Sequence, residues 1–223
     1  GSRPSGRSRS SSRGGSAGDA AGYSVGMASG DGLDDEVLEL LRLGRDADAA
    51  TRVLRAYGAE LRAYLIHVLR DATAADDAFS ECAEQVWRSI GSYRAASTVR
   101  AWTYGVAWHA AMRVVRDPFR RRGRPLESVE LARLVEGART ETPIYLKTGT
   151  KDAIDELRAA LGPDERALLT LRLDRRLSWA EVAVALSDEA TGRASEAALR
   201  KRFERIKEQL RALAEAKGLL QPK

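Results

Sequence analysis

The stretch that decides the fold is "VRAWTYGVAWHAAMRVVR", residues 99–116, in which aromatic and small apolar side chains recur without a proline. At 100° per residue, Val99, Val106 and Val114 share one face. Apolar residues spaced by threes and fours in this way predict an amphipathic helix. The helix is expected to end at Asp117, because this residue precedes a proline, which disfavours helical backbone in the residue before it.

The same helical spacing extends outward from this stretch into two regions of the chain. It covers residues 33–117 and residues 151–217, and neither region shows the alternation that is typical of a strand. Between them, residues 118–150 carry a basic run and then Gly, Thr and Pro without a sustained period, which predicts a flexible linker. The sequence therefore predicts an all-α fold with two small helical domains joined by this linker, the second a helix-turn-helix.

The two ends of the chain lack such a pattern. Residues 1–32 are rich in Ser, Gly and Arg and have almost no large apolar side chain, so we expect a disordered tail there. Residues 218–223 are expected to form a short C-terminal tail.

Composition and motifs exclude several classes of function. The formal net charge of +5 favours a polyanionic partner. The single cysteine, Cys82, excludes an internal disulfide and a cluster of thiolate metal ligands. No apolar run reaches the roughly 20 residues that span a bilayer, so no membrane segment is expected. Because the sequence also lacks a phosphate-binding glycine loop and metal-ligand spacing, we predict a protein that is not an enzyme and needs no cofactor or metal.

The last predicted helix has an apolar stripe and a basic surface. It follows a capping residue, Ser195, and a shorter helix that Ser178 and Glu181 are expected to open with a capping box. A helix, a turn and a long basic helix form the outline of a helix-turn-helix, whose second helix enters the major groove. The alternative is a solvated helix whose acidic residues balance the basic ones. The candidate DNA-binding residues of this helix are Ser195, Arg200, Lys201, Arg202 and Arg205.

The aromatic residues of the 99–116 helix lie on more than one face. We expect Trp102 and Val106 in the core. The remaining rings either pack on a neighbouring helix, which is the commoner arrangement, or stack on unpaired bases while the following arginines hold the backbone. The candidate DNA-binding residues of this region are Tyr104, Trp108, His109, Arg113, Arg116, Arg120, Arg121 and Arg122.

An acidic segment, "DDAFSECAEQVW", precedes that helix at residues 76–87. Acidic side chains that recur at helical spacing suit a basic protein surface, although a solvated face is the simpler interpretation. The candidate residues for this docking surface are Asp76, Asp77, Glu81 and Glu84. Ser80 and Thr73 lie in or beside it, and a phosphate on either would add negative charge towards a basic partner. Both are therefore candidate phosphorylation sites, with ordinary exposed hydroxyls as the alternative.

These segments, in this order, resemble a bacterial RNA polymerase sigma factor of the extracytoplasmic-function (ECF) type, in the sigma-70 family. The acidic segment resembles the family's dock on the β′ clamp, with matching positions at Asp76, Asp77 and Glu81. Residues 99–116 resemble the helix that captures the start-proximal promoter element and helps to separate its strands. The segments "LGPDERALLTLRLDRRLSWAEVAVAL" (161–186) and "ALRKRFERI" (198–206) are similar to the domain that reads the upstream promoter element.

The resemblance implies a transcription initiation factor in the bacterial cytoplasm, without chemistry of its own. Its implied partners are core RNA polymerase (β′ clamp and β flap), promoter DNA, and an anti-sigma factor or a regulatory kinase. The chain departs from the family at Trp108-His109, where Arg-Asn is usual, and at Arg113, where Asp is usual. Two alternatives stay open: a helix-turn-helix regulator that recruits no polymerase, and an adaptor that binds polymerase without melting promoters.

Overall fold

The computed structural model describes residues 30–117, 128–141, 152–187 and 194–220, together with Gly1, Leu126 and Gly192. Within these ranges the regular elements are helices, which confirms the all-α prediction. Most of the expected N-terminal tail lies outside the described residues. The helices are α1 (Gly30–Arg42), α2 (Asp46–Leu69), α3 (Ala72–Ser89), α4 (Val99–Arg116), α5 (Val129–Glu141), α6 (Asp152–Ala159), α7 (Pro163–Leu169), α8 (Trp179–Ala185) and α9 (Glu196–Ala216).

Helices α1 to α5 form an N-terminal unit around α2, which contacts each of the other four. Side-chain caps fix where two of its helices begin: the Asp71 carboxylate accepts from Ala74 N at 2.9 Å, and Thr98 Oγ1 accepts from Ala101 N at 3.2 Å. Two fully buried tyrosine rings, Tyr64 of α2 and Tyr104 of α4, meet edge to face at 5.1 Å. Three long helices, α2, α3 and α4, therefore pack around large buried side chains.

Helix α5 lies inside the segment for which the sequence predicts a flexible linker. Ser128 caps it, and its apolar residues Leu131 and Val135 are buried against the N-terminal unit. The contact with α2 is close at Gly58, where an added Cβ would lie 3.0 Å from Ala138 Cβ. The sequence prediction missed this helix because its apolar stripe is only two turns long and continues no longer pattern.

Helices α6 to α9 form a C-terminal unit built from short elements. Helix α7 continues into a π-helical turn at Thr170–Asp174, and α8 begins at the predicted capping box, in which Ser178 Oγ accepts from Glu181 N at 3.2 Å. The predicted cap of α9 at Ser195 is also present. Helix α9 packs on α7 and α8 through its apolar stripe, where Phe203 meets Trp179 edge to face at 5.5 Å.

The two units contact each other directly. Helix α8 packs on α4, and α7 packs on α2, where Arg166 Nε donates to the Val68 carbonyl at 2.8 Å. Within the described part of the chain, no helix is long and apolar enough to cross a membrane.

Candidate polymerase and nucleic-acid interfaces

The four acidic residues proposed for docking lie on α3 but differ in exposure. Asp76 and Asp77 are half-buried, whereas Glu81 and Glu84 are 8% and 2% exposed. Asp76 accepts a hydrogen bond from Nε of the buried Arg62 at 2.7 Å. The acidic segment therefore takes part in the packing and ion pairs of the N-terminal unit. Asp77 forms no ion pair with the residues that the structure describes.

An ion pair joins the acidic helix α3 to the aromatic helix α4. Arg113 Nε lies 2.9 Å from Glu81 Oε1, with the arginine side chain one-third exposed. Arg113, one of the departures from the family pattern, therefore has a partner in the acidic segment. The neighbouring Cys82 is fully buried, and this burial raises the pKa of its thiol to about 12, although the Arg113 charge acts to lower it.

The two candidate phosphorylation sites lie in different surroundings. The Ser80 hydroxyl donates to the Asp76 carbonyl at 2.9 Å and accepts from Arg139 Nη2 of α5 at 3.3 Å. Thr73 lies exposed in the first turn of α3. Only Ser80 is therefore held in a contact between helices.

The rings of Tyr104 and Trp108 lie in the core of the structure. Tyr104 is fully buried and its hydroxyl donates to Glu60 Oε1 at 2.7 Å, while Trp108 is 8% exposed. Burial raises the pKa of Tyr104 well above its ordinary value, and the Glu60 carboxylate raises it further. The two residues expected in the core, Trp102 and Val106, are half-buried and pack against its edge. Tyr104 and Trp108 are buried because α4 is packed from two sides, by the N-terminal unit and by α8.

His109 contacts the C-terminal unit. Its Nε2 lies 2.7 Å from the Ser187 carbonyl oxygen, which can only accept, so Nε2 carries the proton in this contact. Arg116 is exposed at the end of α4. The remaining candidates of this region, Arg120, Arg121 and Arg122, lie outside the described residues.

The basic candidates of α9 lie on its outer surface, and two of them pair with acids. Arg200 contacts Glu196 at 2.8 Å, and Arg202 contacts Asp164 of α7 at 3.2 Å. Lys201 and Arg205 are exposed and form no ion pair with any described residue. These two side chains are therefore available to a partner, and Ser195 serves as the helix cap.

Sequence reasoning missed two sets of residues that the structure brings together. Trp179 has the guanidinium of Arg172 at 5.0 Å and that of Arg200 at 5.7 Å from its ring centroid. Glu60 joins the two units through Arg100 and Arg175. No local pattern in the sequence signalled either set, because each forms between residues of different elements. Among the described residues, no group of three or more His, Cys, Asp or Glu could hold a metal ion.

Comparison with known proteins identifies the N-terminal unit. Residues 53–123 match the family model described as Sigma-70 region 2, and this segment contains most of α2 and all of α3 and α4. No curated protein matches the chain. Sigma factors are not enzymes. Residues 53–123 therefore resemble Sigma-70 region 2, which indicates a sigma-70 family sigma factor and supports a role in transcription initiation through binding to core RNA polymerase.

Proposed function

We propose that this protein is a sigma factor of the ECF type, which directs core RNA polymerase to specific promoters and helps to melt them in the bacterial cytoplasm. The observation that carries the proposal is the order of the two units. A Sigma-70 region 2 match covers α2 to α4, and a C-terminal unit with an exposed basic helix follows. This order of units resembles that of the ECF type, with one unit for each promoter element.

Helix α9 is the proposed reader of the upstream element. With α8 before it, α9 has the order of a helix-turn-helix, in which the N-terminal half of the second helix enters the major groove. Lys201 and Arg205 are exposed in this half, and Arg200 and Arg202 flank them. Such side chains can reach base edges and phosphates.

Helix α4 and the basic segment after it are the proposed contacts to the start-proximal element. His109 and Arg116 are the partly exposed and exposed candidates, and Arg120, Arg121 and Arg122 follow them along the chain. We assign Tyr104 and Trp108 a supporting role, because buried rings hold a helix rigidly but cannot stack on a base. Arg113 orients α4 against α3 through its ion pair with Glu81.

The acidic helix α3 is the proposed dock for the β′ clamp, and the C-terminal unit is the proposed partner of the β flap. Of the four acidic residues, Asp77 is the best single target, because it is partly exposed and its replacement removes no ion pair between described residues. We expect Asp77→Arg to weaken binding to core polymerase at least tenfold, since it places a positive charge against a basic surface. Asp35→Arg, on the exposed surface of α1, is the matched control.

The proposal is tested by run-off transcription with core polymerase and a library of promoter fragments from the source genome. We expect discrete start sites with the wild-type protein and with D35R, and their loss with D77R. The double variant Lys201→Ala, Arg205→Ala is expected to keep core binding and lose these start sites, whereas Lys207→Ala keeps both. Core binding without transcription from any fragment would indicate an adaptor instead. If neither core binding nor transcription is observed, the sigma-factor proposal fails.

A further inference from the structure

Helix α5 lies against one edge of the acidic surface of α3, the edge formed by Asp76 and Ser80. Arg139 Nη2 of α5 donates to Ser80 Oγ at 3.3 Å, and Arg139 Nε lies 3.9 Å from Asp76 Oδ1. Asp77, the next residue of the acidic segment, lies about 100° further around α3. Helix α5 therefore brings a cation to the acidic segment, as the basic surface of a partner would.

Helix α5 is held in place by a small apolar contact. Its 13 residues bury three side chains, Leu131, Val135 and Ala138. A helix of this length is marginal without such packing. Gly137 lies in its interior, where an added Cβ would meet no described neighbouring atom within 4 Å. Because glycine is a poor helix former, this residue weakens α5 without allowing a closer contact.

The polar groups of the contact also favour its opening. Arg139 Nε and Arg62 Nη1 are buried without a hydrogen-bond acceptor among the described residues. Water can reach such groups once α5 separates, which removes the cost of burying them. On α3, Asp76 keeps the donor Arg62 Nε at 2.7 Å, and the Ser80 hydroxyl keeps its acceptor, the Asp76 carbonyl, at 2.9 Å. Both residues of this edge therefore retain a partner when α5 leaves.

We propose that core RNA polymerase and α5 compete for the Asp76 and Ser80 edge of α3, so that α5 leaves this edge when polymerase binds. This inference rests on the proposed role of α3 as the dock for the β′ clamp. A basic surface that contacts Asp76 and Asp77 together needs the space that Arg139 fills. The fraction of the free protein in which α5 is detached then limits the apparent affinity for polymerase.

The first test measures the movement of α5 by hydrogen exchange of the full chain, read by mass spectrometry. We expect the amides of α5 to exchange slowly in the free protein and at least tenfold faster in the holoenzyme, while those of α2 stay protected. An α5 that is equally protected in both states overturns the proposal. An α5 that already exchanges freely without polymerase does so as well, because it then has no contact to give up.

The second test measures the affinity of α5 variants for core polymerase. Gly137→Ala strengthens the helix at an open position, so we expect about threefold weaker binding. Arg139→Ala removes the cation from the dock edge, and we expect about threefold tighter binding. Arg133→Ala makes the same change of charge on an exposed side of α5, so its affinity should equal that of the wild-type protein. Equal effects of Arg139→Ala and Arg133→Ala would mean that net charge alone is responsible.

Gly58→Ala loosens the contact from the α2 side. The added Cβ would lie 3.0 Å from Ala138 Cβ, so α5 has to shift, whereas α2 gains a better helix former. We expect about threefold tighter binding to core polymerase, and at least a fivefold gain when Arg139→Ala is added. Thermal unfolding is the control, because a variant that merely damages the N-terminal unit would lose both stability and affinity.

The outcomes separate this inference from the proposed function. If the wild-type protein binds core polymerase and transcribes, but the variants at Gly58, Gly137 and Arg139 bind equally well, the competition is wrong and the sigma-factor role stands. Binding that appears only when α5 is loosened supports both proposals. If neither the wild-type protein nor any variant binds core polymerase, the proposed function fails, and the competition that rests on it fails too.

Discussion

The N-terminal and C-terminal units are held together in different ways. The N-terminal unit packs α2, α3 and α4, of 24, 18 and 18 residues, around large, fully buried side chains. The C-terminal unit contains α7 and α8, of seven residues each, which are too short to be stable helices alone. Caps, the apolar face of α9 and the contact with α4 stabilise them. The comparison teaches that long helices around large buried side chains hold the first unit, whereas the second relies on caps and on the packing of short helices against α9 and α4.

The largest effect is expected at Cys82, which reports on the N-terminal core. With a folded-state pKa of about 12 against roughly 8.5 when unfolded, its thiolate fraction at pH 8 falls about a thousandfold. Alkylation by iodoacetamide should therefore be at least that much slower in the native protein than in urea. Because burial raises the pKa of the Cys82 thiol in the folded protein, its contribution to the free energy of unfolding is fully present below about pH 8.5. This contribution is lost as the pH rises towards 12. Rapid native labelling would show that the core is open.

Tyr104→Ala should cost the N-terminal unit about 3–5 kcal/mol, because it leaves a cavity against Tyr64. Tyr104→Phe keeps the ring and loses only the bond to Glu60, so a loss of about 1 kcal/mol is expected. Urea unfolding, monitored by circular dichroism, measures the loss of stability in both variants. Equal losses would mean that the hydroxyl, not the ring, carries the stability.

Phe203→Ala should destabilise the C-terminal unit by about 3 kcal/mol and leave the N-terminal unit folded, because its ring packs within the C-terminal unit against Trp179. The fluorescence of Trp179, obtained by difference from a Trp179→Phe variant, is then expected to change at a lower urea concentration than Cys82 becomes reactive. Leu210→Ala, at a half-buried position of the same helix, is the milder control. If the two probes still change together, the units unfold as one and the contrast between them is wrong.

The smallest effect is expected at the α8 cap. Ser178→Ala removes the bonds of its hydroxyl to Glu181 and should cost about 1 kcal/mol, measured by thermal unfolding. We expect Ser195→Ala, which removes the cap of the 21-residue α9, to cost less because fraying of one turn leaves most of that helix intact. A larger loss at Ser195 would contradict the view that the short helix depends more on its cap.

The same cap has a defined pH dependence. Burial acts to raise the pKa of Glu181, but hydrogen bonds from Ser178 and Thr98 outweigh it and hold the pKa below its ordinary value. The stabilisation that ionised Glu181 provides is therefore fully present above about pH 4.3, the pKa of a glutamate in the unfolded chain. It is lost as the pH falls through the lower pKa that Glu181 has in the folded protein. Ser178→Ala should reduce this acid sensitivity, which unfolding measured between pH 3 and pH 6 would show.

Local patterns predicted the helices and caps, but not the tertiary contacts. Ser178 and Ser195 were identified as caps because capping depends on a few neighbouring residues. Helix α5 was missed, since its short stripe gains its stability from packing near Gly58. The second apolar face of α4 was compatible with packing on a neighbouring helix or with stacking on unpaired bases. Nothing local to residues 99–116 could show that α8, some 80 residues later, covers it.

Helix α5 also limits how far apart the two units can move. While α5 stays packed on α2, only the eleven Cα–Cα steps from Glu141 to Asp152 join the units, which can span at most about 36–40 Å. The whole interval from Arg116 to Asp152 would span roughly 120 Å. At 3.4 Å per base pair, the shorter tether corresponds to about 11–12 base pairs of duplex. In the sigma factor proposed above, a docked α5 would therefore limit the distance between two DNA segments that the two units can contact at once.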